Sequence, residues 1–458
     1  VKVDLNIDVK TIAAFMSSEI AAGPKDKVLK NITSDSRVCN KESLFIPIKG
    51  EKFDGHSFIK DLCEKQSIGA YITEDSSYIN NFTDIPVISC NNTLHGLGLI
   101  AKGVRRKINP RVIGITGTNG KTTTKEILAH ILKYKFNTHR NEKNYNNEIG
   151  VPFTLLKMNE DCEAAVIEMG MNHLGEIERL TSIVEPDIAI ITSIGEGHLE
   201  FLESIENVAR AKAEIMKSMK PGSTVFINND TDLSEFLVSE ARSYNLKAKT
   251  FGLDASADIF PETYSLSEDS ISLSFNNVEL TIPLYGIHNI SNVVASVSVA
   301  QAMGMNLDEI SESLESFENV DGRSAVINHG YKIIDDTYNA NPLSTKRALE
   351  SIMKIYPEKR KIAILSDMKE LGSEESTLHE LTGCYAAECS FDYLLLWGDM
   401  SSAYKSGALN GGMSEERVHI FGTKDALVRY LKSIIDNDDV VLIKGSRSMK
   451  MEEVVRAL

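Results

Sequence analysis

Seven consecutive residues, Gly117-Thr118-Asn119-Gly120-Lys121-Thr122-Thr123, combine two glycines, a lysine and three hydroxyls. An apolar run, "VIGIT" at 112–116, precedes them. A helical stripe of Ile127, Leu128, Ile131 and Leu132 follows. A strand, a glycine-containing loop and a helix in that order aim backbone N–H groups and a helix N-terminus at a phosphate. Lys121 would lie on the outer phosphates, and the Thr122 hydroxyl would reach a magnesium ion. The spacing departs from the usual G-x-x-x-x-G-K-[ST]. Five residues before Gly120 stands Ile115, and the nearer glycine is Gly117. The competing reading is a plain strand–turn–helix with a lysine at its start.

Magnesium takes further oxygen ligands or waters. Glu168 ends the apolar run "AAVIEMG" at 164–170, and His198 follows "DIAIITS" at 187–193 within "GEGHLE". The carboxyl ends of parallel strands share one edge of a sheet, so the loop, Glu168 and His198 can converge there. Taken singly, a strand-end glutamate is as readily solvated, and a lone histidine is usually no ligand. Lys212, in "ENVARAKAEIM", reads from its spacing as a surface lysine, because a bare ammonium would be repelled by a metal ion.

These residues need a scaffold. At roughly 150 residues per domain, 458 residues suggest about three domains. Residues 1–108 carry short strand-like runs, clearest at 43–50, 70–74 and 85–90, with a helical segment at 57–67 and a connecting helix at 93–108 before Pro110. Residues 109–316 alternate strand, loop and helix, with apolar runs at 112–116, 164–170, 187–193 and 224–229 suited to a parallel sheet covered on both faces. An alternating stretch at 265–284 looks antiparallel, and a helix fills 288–304. Residues 317–458 repeat the alternation, with strands at 331–335, 361–367, 393–398, 418–422 and 440–445. The expected fold class is α/β in three domains. A small α/β N-terminal domain precedes a central P-loop-type parallel-sheet ATPase domain. A Rossmann-like doubly wound C-terminal domain follows.

The net charge of −16 argues against a nucleic-acid partner, since an acidic chain repels a polyanion. No apolar run reaches the roughly 18 residues of a membrane span, and no signal peptide opens the chain, so a cytoplasmic protein without membrane contact is expected. Six scattered cysteines without a C-x-x-C pair read as reduced thiols. A monomer is the default expectation.

"GTNGKTTT", "EMG", "GEGHLE", "ARAKAEI" and "GIHNISN" together resemble the ATP-dependent Mur ligases of peptidoglycan synthesis, a family that departs from the usual phosphate loop in the same way. The resemblance spans essentially the whole chain. "TSDSR" with "LFIPIKGEKFDGHSFI" looks like that family's uridine-nucleotide domain. "NEKNYNNEIGVPFTLL", "DDTYNANP", "LSDMKELG" and "KGSRSMKMEEVV" are similar to its branch that adds D-alanyl-D-alanine to UDP-N-acetylmuramoyl-tripeptide.

The resemblance implies roles. Gly117, Thr118, Asn119, Gly120, Lys121, Thr122 and Thr123 would bind ATP, with Asn289 and Asn292 on the adenine side and Arg323 and Asp336 arriving from the C-terminal domain. Thr122 and Glu168 would hold one magnesium ion, and His198 a second. Lys212 matches a lysine carbamylated by carbon dioxide in several members, which would turn a repelled cation into an anionic metal ligand. Lys121, Lys212 and His198 are the catalytic set. Ser34, Asp35, Ser36, Arg37 and His56 fall in the uridine-nucleotide region, and Asn146, Asn147, Asn339, Asn341 and Asp367 in the remaining substrate-binding stretches. Closure is expected to bring Asp336, Asp367 and Lys444 to the central site. A folate polyglutamate-type ligase shares the loop but lacks the N-terminal nucleotide domain. A nucleotide-dependent switch that hydrolyses ATP or GTP is the reading from another class.

Overall fold

The computed structural model describes residues 2–50, 53–79, 84–231, 233–318 and 324–458. They form an α/β chain of three six-stranded sheets and one three-stranded sheet. The first sheet has the order Lys2–Asp8, Val28–Thr33, Ser43–Phe45, Ala70–Thr73, Val87–Ser89, Ile20–Ala22. Its four inner strands pair in parallel and its two edges antiparallel. The helix Thr93–Ile108 is closed at both ends by asparagine: the Asn92 side chain accepts from the His95 N–H, and Asn109 turns into the left-handed region at φ 56°.

The second sheet runs Lys247–Phe251, Thr224–Asn228, Ile188–Ile191, Arg111–Thr116, Ala164–Glu168, Thr138–Arg140, parallel throughout. Its central strands are apolar along their length because both faces are covered. The helix Lys121–Lys133 buries Ile127, Leu128, Ile131 and Leu132, the stripe expected from its spacing. One face of this sheet shares a continuous core with the first sheet, and the other packs on Lys121–Lys133 and His288–Ala302. Two edge strands escape sequence reading. Thr138–Arg140 is short and half-buried, and Lys247–Phe251 carries lysines outward. Neither offers an apolar run. The 265–284 stretch is the expected antiparallel addition, strands Thr263–Leu266, Ile271–Phe275 and Val278–Ile282.

The third sheet is ordered Ala325–Asn328, Lys332–Asp336, Val440–Lys444, Lys361–Ser366, Tyr393–Trp397, Val418–Ile420. Only its first pair is antiparallel. It has its own core on each face. All six cysteines are free. Among the described residues, no helix is long and apolar enough to cross a membrane.

Candidate active site

The loop after Arg111–Thr116 sits where two neighbouring strands end. Gly117, at φ 147°, lies so close to Thr192 that a Cβ would come within 2.1 Å of its hydroxyl. The Thr192 hydroxyl donates to the Asn119 carbonyl at 2.5 Å, Ser193 Oγ accepts from the Asn119 N–H at 2.9 Å, and the Thr118 N–H donates to the Ser193 carbonyl at 2.8 Å. Gly120 caps the helix Lys121–Lys133 at φ 81°, where only glycine avoids a steric penalty. A Cβ there would stand 2.2 Å from Asn292 Oδ1. Gly120→Ala is therefore expected to strain the loop by roughly 1–2 kcal/mol for the backbone alone. Calorimetry should find ADP binding about tenfold weaker; unchanged affinity would mean that this loop does not hold the phosphates.

Lys121 Nζ donates to the loop's own carbonyls, Gly117 at 2.8 Å and Thr118 at 3.0 Å. The Thr122 hydroxyl meets Glu168 Oε2 at 2.9 Å across the edge of the sheet. Glu168 is 1% exposed, and its other oxygen accepts from Asn146 Nδ2 at 2.7 Å. Behind it lies Lys125, fully buried, 3.8 Å from Glu168 Oε2 and 3.0 Å from Glu126 Oε1. Asn141 pins the Glu168 backbone from both sides, N–H to Oδ1 at 2.6 Å and carbonyl to Nδ2 at 3.1 Å. Lys125, Asn141, Thr192 and Ser193 are thus part of the site although sequence reasoning passed over them.

Lys212 is the largest departure from a reading by spacing. It stands in the helix Ile205–Ala213 with no exposure, and its Nζ has no hydrogen-bond partner among the described residues. Burial, with the charge of Lys121 added, pushes its pKa well below the ordinary lysine range; Glu176 and Glu214 oppose that only in part. Burial thus favours the neutral amine, the nucleophilic form. His198 sits at φ 58° ahead of the short helix Leu199–Leu202. Burial is the main cause that lowers its pKa, and the charges of Lys212 and Lys121 act in the same direction. The loop lysine, Lys212 and His198 therefore share one electrostatic neighbourhood.

Hydroxyl, carboxylate and imidazole donors at a phosphate loop suit a hard divalent cation. Among the described residues, no three His, Cys, Asp or Glu side chains converge as a closed metal cage. That is compatible with magnesium, which keeps waters and takes phosphate oxygens rather than an all-protein shell.

The other expected residues divide. Asn289 and Asn292 are buried and committed to protein partners: Asn289 donates to the Tyr285 carbonyl, Asn292 donates to Asn289, and Asn292 accepts from Thr124. They brace the loop from behind. Thr118 is bonded back to the Gly195 N–H, and Thr123 is buried. The Asn147 side chain accepts from the Gly150 N–H at 2.8 Å, at the start of the helix Gly150–Leu156. In the first unit, Asp35 is chelated by the Arg37 guanidinium and held to a pKa of about 2 by it, with Ser36 between them and Ser34 just before. His56 is buried against Asp54 at 2.7 Å, and its Nε2 has no hydrogen-bond partner among the described residues. Arg323 lies outside the described residues.

The third unit meets the central site. Asp336 and Lys444 pair with each other at 2.5 Å inside their own sheet, and the Asn339 carbonyl accepts from Lys444 as well. Asp367 spends its oxygens on the Asp399 and Met400 N–H groups and on Lys369. A buried carboxylate at a strand end is most cheaply satisfied by the turn beside it. The residues that cross are Asn341, whose amide makes a reciprocal pair with the amide of Asn119 (3.1 and 2.7 Å), and Glu370, whose Oε2 lies 2.7 Å from His198 Nδ1. Asn341 also caps the helix Pro342–Ile355.

Three family descriptions match along the chain: "Mur ligase family, catalytic domain" over residues 28–135, "Mur ligase middle domain" over 115–300 and "Mur ligase, glutamate ligase domain" over 322–447. The sequence is 34% identical over 455 residues to the UDP-N-acetylmuramoyl-tripeptide–D-alanyl-D-alanine ligase of Bacillus subtilis, covering 98% of both chains. The fold is similar to a crystal structure of MurF from Acinetobacter baumannii (TM-score 0.88, 28% identity, 99% of this chain and 98% of that one). It is also similar to the MurF ligase of Thermotoga maritima in complex with ADP (TM-score 0.83, 27% identity, 93% and 96%).

Proposed function

The chain belongs to the Mur ligase family, and from that premise we propose that it joins D-alanyl-D-alanine to the terminal carboxylate of UDP-N-acetylmuramoyl-tripeptide, driven by ATP, in peptidoglycan precursor synthesis. The observation that carries the reading is the meeting of the Thr122 hydroxyl with a buried Glu168 at the mouth of a phosphate loop, together with a buried Lys212 amine that has no hydrogen-bond partner among the described residues. Hydrolysis of a nucleotide needs the loop and a metal; it gives no reason for Lys212. A folate-type ligase gives no reason for the first sheet with its Asp35–Arg37 pair and buried His56.

Two anions must meet in the first step. The tripeptide carboxylate attacks the γ-phosphorus of ATP, the bond to the β,γ-bridging oxygen breaks, and ADP leaves with its electron pair. The acyl phosphate formed is then attacked by the amine of D-alanyl-D-alanine; the amine loses a proton and inorganic phosphate departs. Lys121, turned from its loop carbonyls, neutralises charge on the transferring group. Loop N–H groups hold the β-phosphate side. Thr122 and Glu168 would hold one magnesium ion, with His198 and a carbamylated Lys212 toward a second, and the metal would supply charge neutralisation at the phosphates. Carbamylation adds the neutral Lys212 amine to the carbon of CO2, with loss of one proton, and places an anion where an ammonium is excluded. Asn146 orients the Glu168 carboxylate. Asn341 and Glu370 bring the third unit, with the dipeptide, onto the loop.

The direct test is phosphate release from ATP and magnesium with UDP-N-acetylmuramoyl-tripeptide, with and without D-alanyl-D-alanine. Release that needs both, with a pentapeptide nucleotide as product, is expected. Release indifferent to both would move a nucleotide-hydrolysing switch to the front.

A further inference from the structure

Glu370 stands on the third unit, between the strand Lys361–Ser366 and the helix Glu375–Glu388. His198 stands on the second. Three contacts tie them within one turn of chain. The His198 Nδ1 lies 2.7 Å from Glu370 Oε2, the Glu200 N–H donates to the Glu370 carbonyl at 3.1 Å, and Gly372 is packed so closely on Glu200 that a Cβ there would come within 3.1 Å of its Cα. Both partners hold left-handed backbone, His198 at φ 58° and Glu370 at φ 65°, a region that non-glycine residues seldom use and that clusters at functional sites. The His198–Glu370 distance is that of a charge-assisted hydrogen bond, yet the Nδ1 misses hydrogen-bond alignment. Such pairs are often loose without ligand and tighten in the complex.

We propose that Glu370 is a positioning residue for His198, delivered from the third unit: it accepts the Nδ1–H, leaves the lone pair on Nε2, and so sets the imidazole only when the third unit is docked. The proposal rests on the ligase reading of the same site. Half-exposed ion pairs contribute little stability, so the role of this one lies in orientation. An imidazole that serves a metal or phosphate through one nitrogen is held by a carboxylate on the other in many sites, and removal of that carboxylate typically lowers metal affinity or activity 10–100-fold. Here the carboxylate belongs to a different unit. Assembly of the catalytic groups and docking of the units would therefore be one event.

Two measurements on the full chain test this. In the first, two-bond proton–nitrogen spectra of ¹⁵N-histidine-labelled protein are recorded without metal or nucleotide, with His198 assigned by its loss in His198→Gln. His198 should be the Nδ1–H tautomer in the parent and a mixture in Glu370→Ala. An Nε2–H tautomer in the parent, or an unchanged spectrum in Glu370→Ala, would overturn the proposal. The second is steady-state kinetics. Glu370→Ala should lower kcat about 10–100-fold with KM for the tripeptide nucleotide within twofold. Glu370→Gln, whose amide oxygen still accepts, should retain most of kcat; equal loss in both variants would count against orientation. A parent protein without ligase activity would overturn the functional reading and leave the tautomer result standing on its own.

Discussion

Lys212→Ala should lower the ligation rate roughly 10²–10³-fold, the usual loss when a preorganised charge at a developing phosphate is removed. The reason lies in the burial of the side chain. Its amine is buried without a hydrogen-bond partner among the described residues, and its pKa lies well below the ordinary range because burial penalises the ammonium. A buried amine in that condition destabilises the fold, so it persists for what it does. If it serves as a carbamate, a short carboxylic acid supplied to Lys212→Ala should restore part of the rate, because the acid's carboxylate can enter the vacated volume. A fully active Lys212→Ala enzyme would remove the carbamate from the mechanism. Stability should move the other way. The folded-state pKa is depressed, so the unfolded chain binds the extra proton. Folding stability is therefore lost as pH falls from the ordinary lysine value toward the lowered one, with a limiting slope of about 1.4 kcal/mol per pH unit. Lys212→Met escapes that loss. In CO2-free buffer at neutral pH its Tm should exceed that of the parent, and the gap should narrow as pH rises toward 10. A Met variant that melts lower across that range would mean that Lys212 makes stabilising contacts after all.

Glu168→Ala should raise the magnesium concentration needed for half-maximal activity roughly 10–100-fold, with a smaller effect on saturated rate. Glu168 is the hub of the contacts at this edge of the loop: Thr122 donates to one oxygen and Asn146 to the other. Removing the carboxylate takes an acceptor from Thr122 and, among the described residues, leaves Lys125 with Glu126 as its near carboxylate, so the repulsion of a cation at the loop increases. Glu168→Gln separates the two effects, since it keeps the volume and one acceptor while removing the charge. Magnesium titrations of phosphate release on both variants decide the matter. Unchanged magnesium dependence in Glu168→Ala would reject Glu168 as a ligand.

Much of this chain was legible from local pattern. The loop, the buried stripe of Lys121–Lys133, the helix Thr93–Ile108 and the inner parallel strands each announce themselves within about a dozen residues. The same holds for the position of Glu168, since a strand ending beside a phosphate loop puts its last residue at that edge.

Tertiary structure decided the rest. Edge strands such as Lys247–Phe251 exist because a neighbour offers free N–H and C=O groups, not because their side chains alternate. The burial of Lys212 depends on everything packed around Ile205–Ala213, and the spacing of "ARAKAEI" is equally that of a surface helix. Asp367 accepts from the turn beside it, and Asp336 pairs with Lys444, 108 positions away in the sequence. The contacts that do cross, Asn119 with Asn341 and His198 with Glu370, join residues 222 and 172 positions apart. No periodicity reaches that far. Sequence sets which side chains are available and on which face of their own element they stand. Only the packing of one sheet against another fixes which of them meet, because a contact energy is realised over a few ångströms and those last ångströms are set by the whole fold.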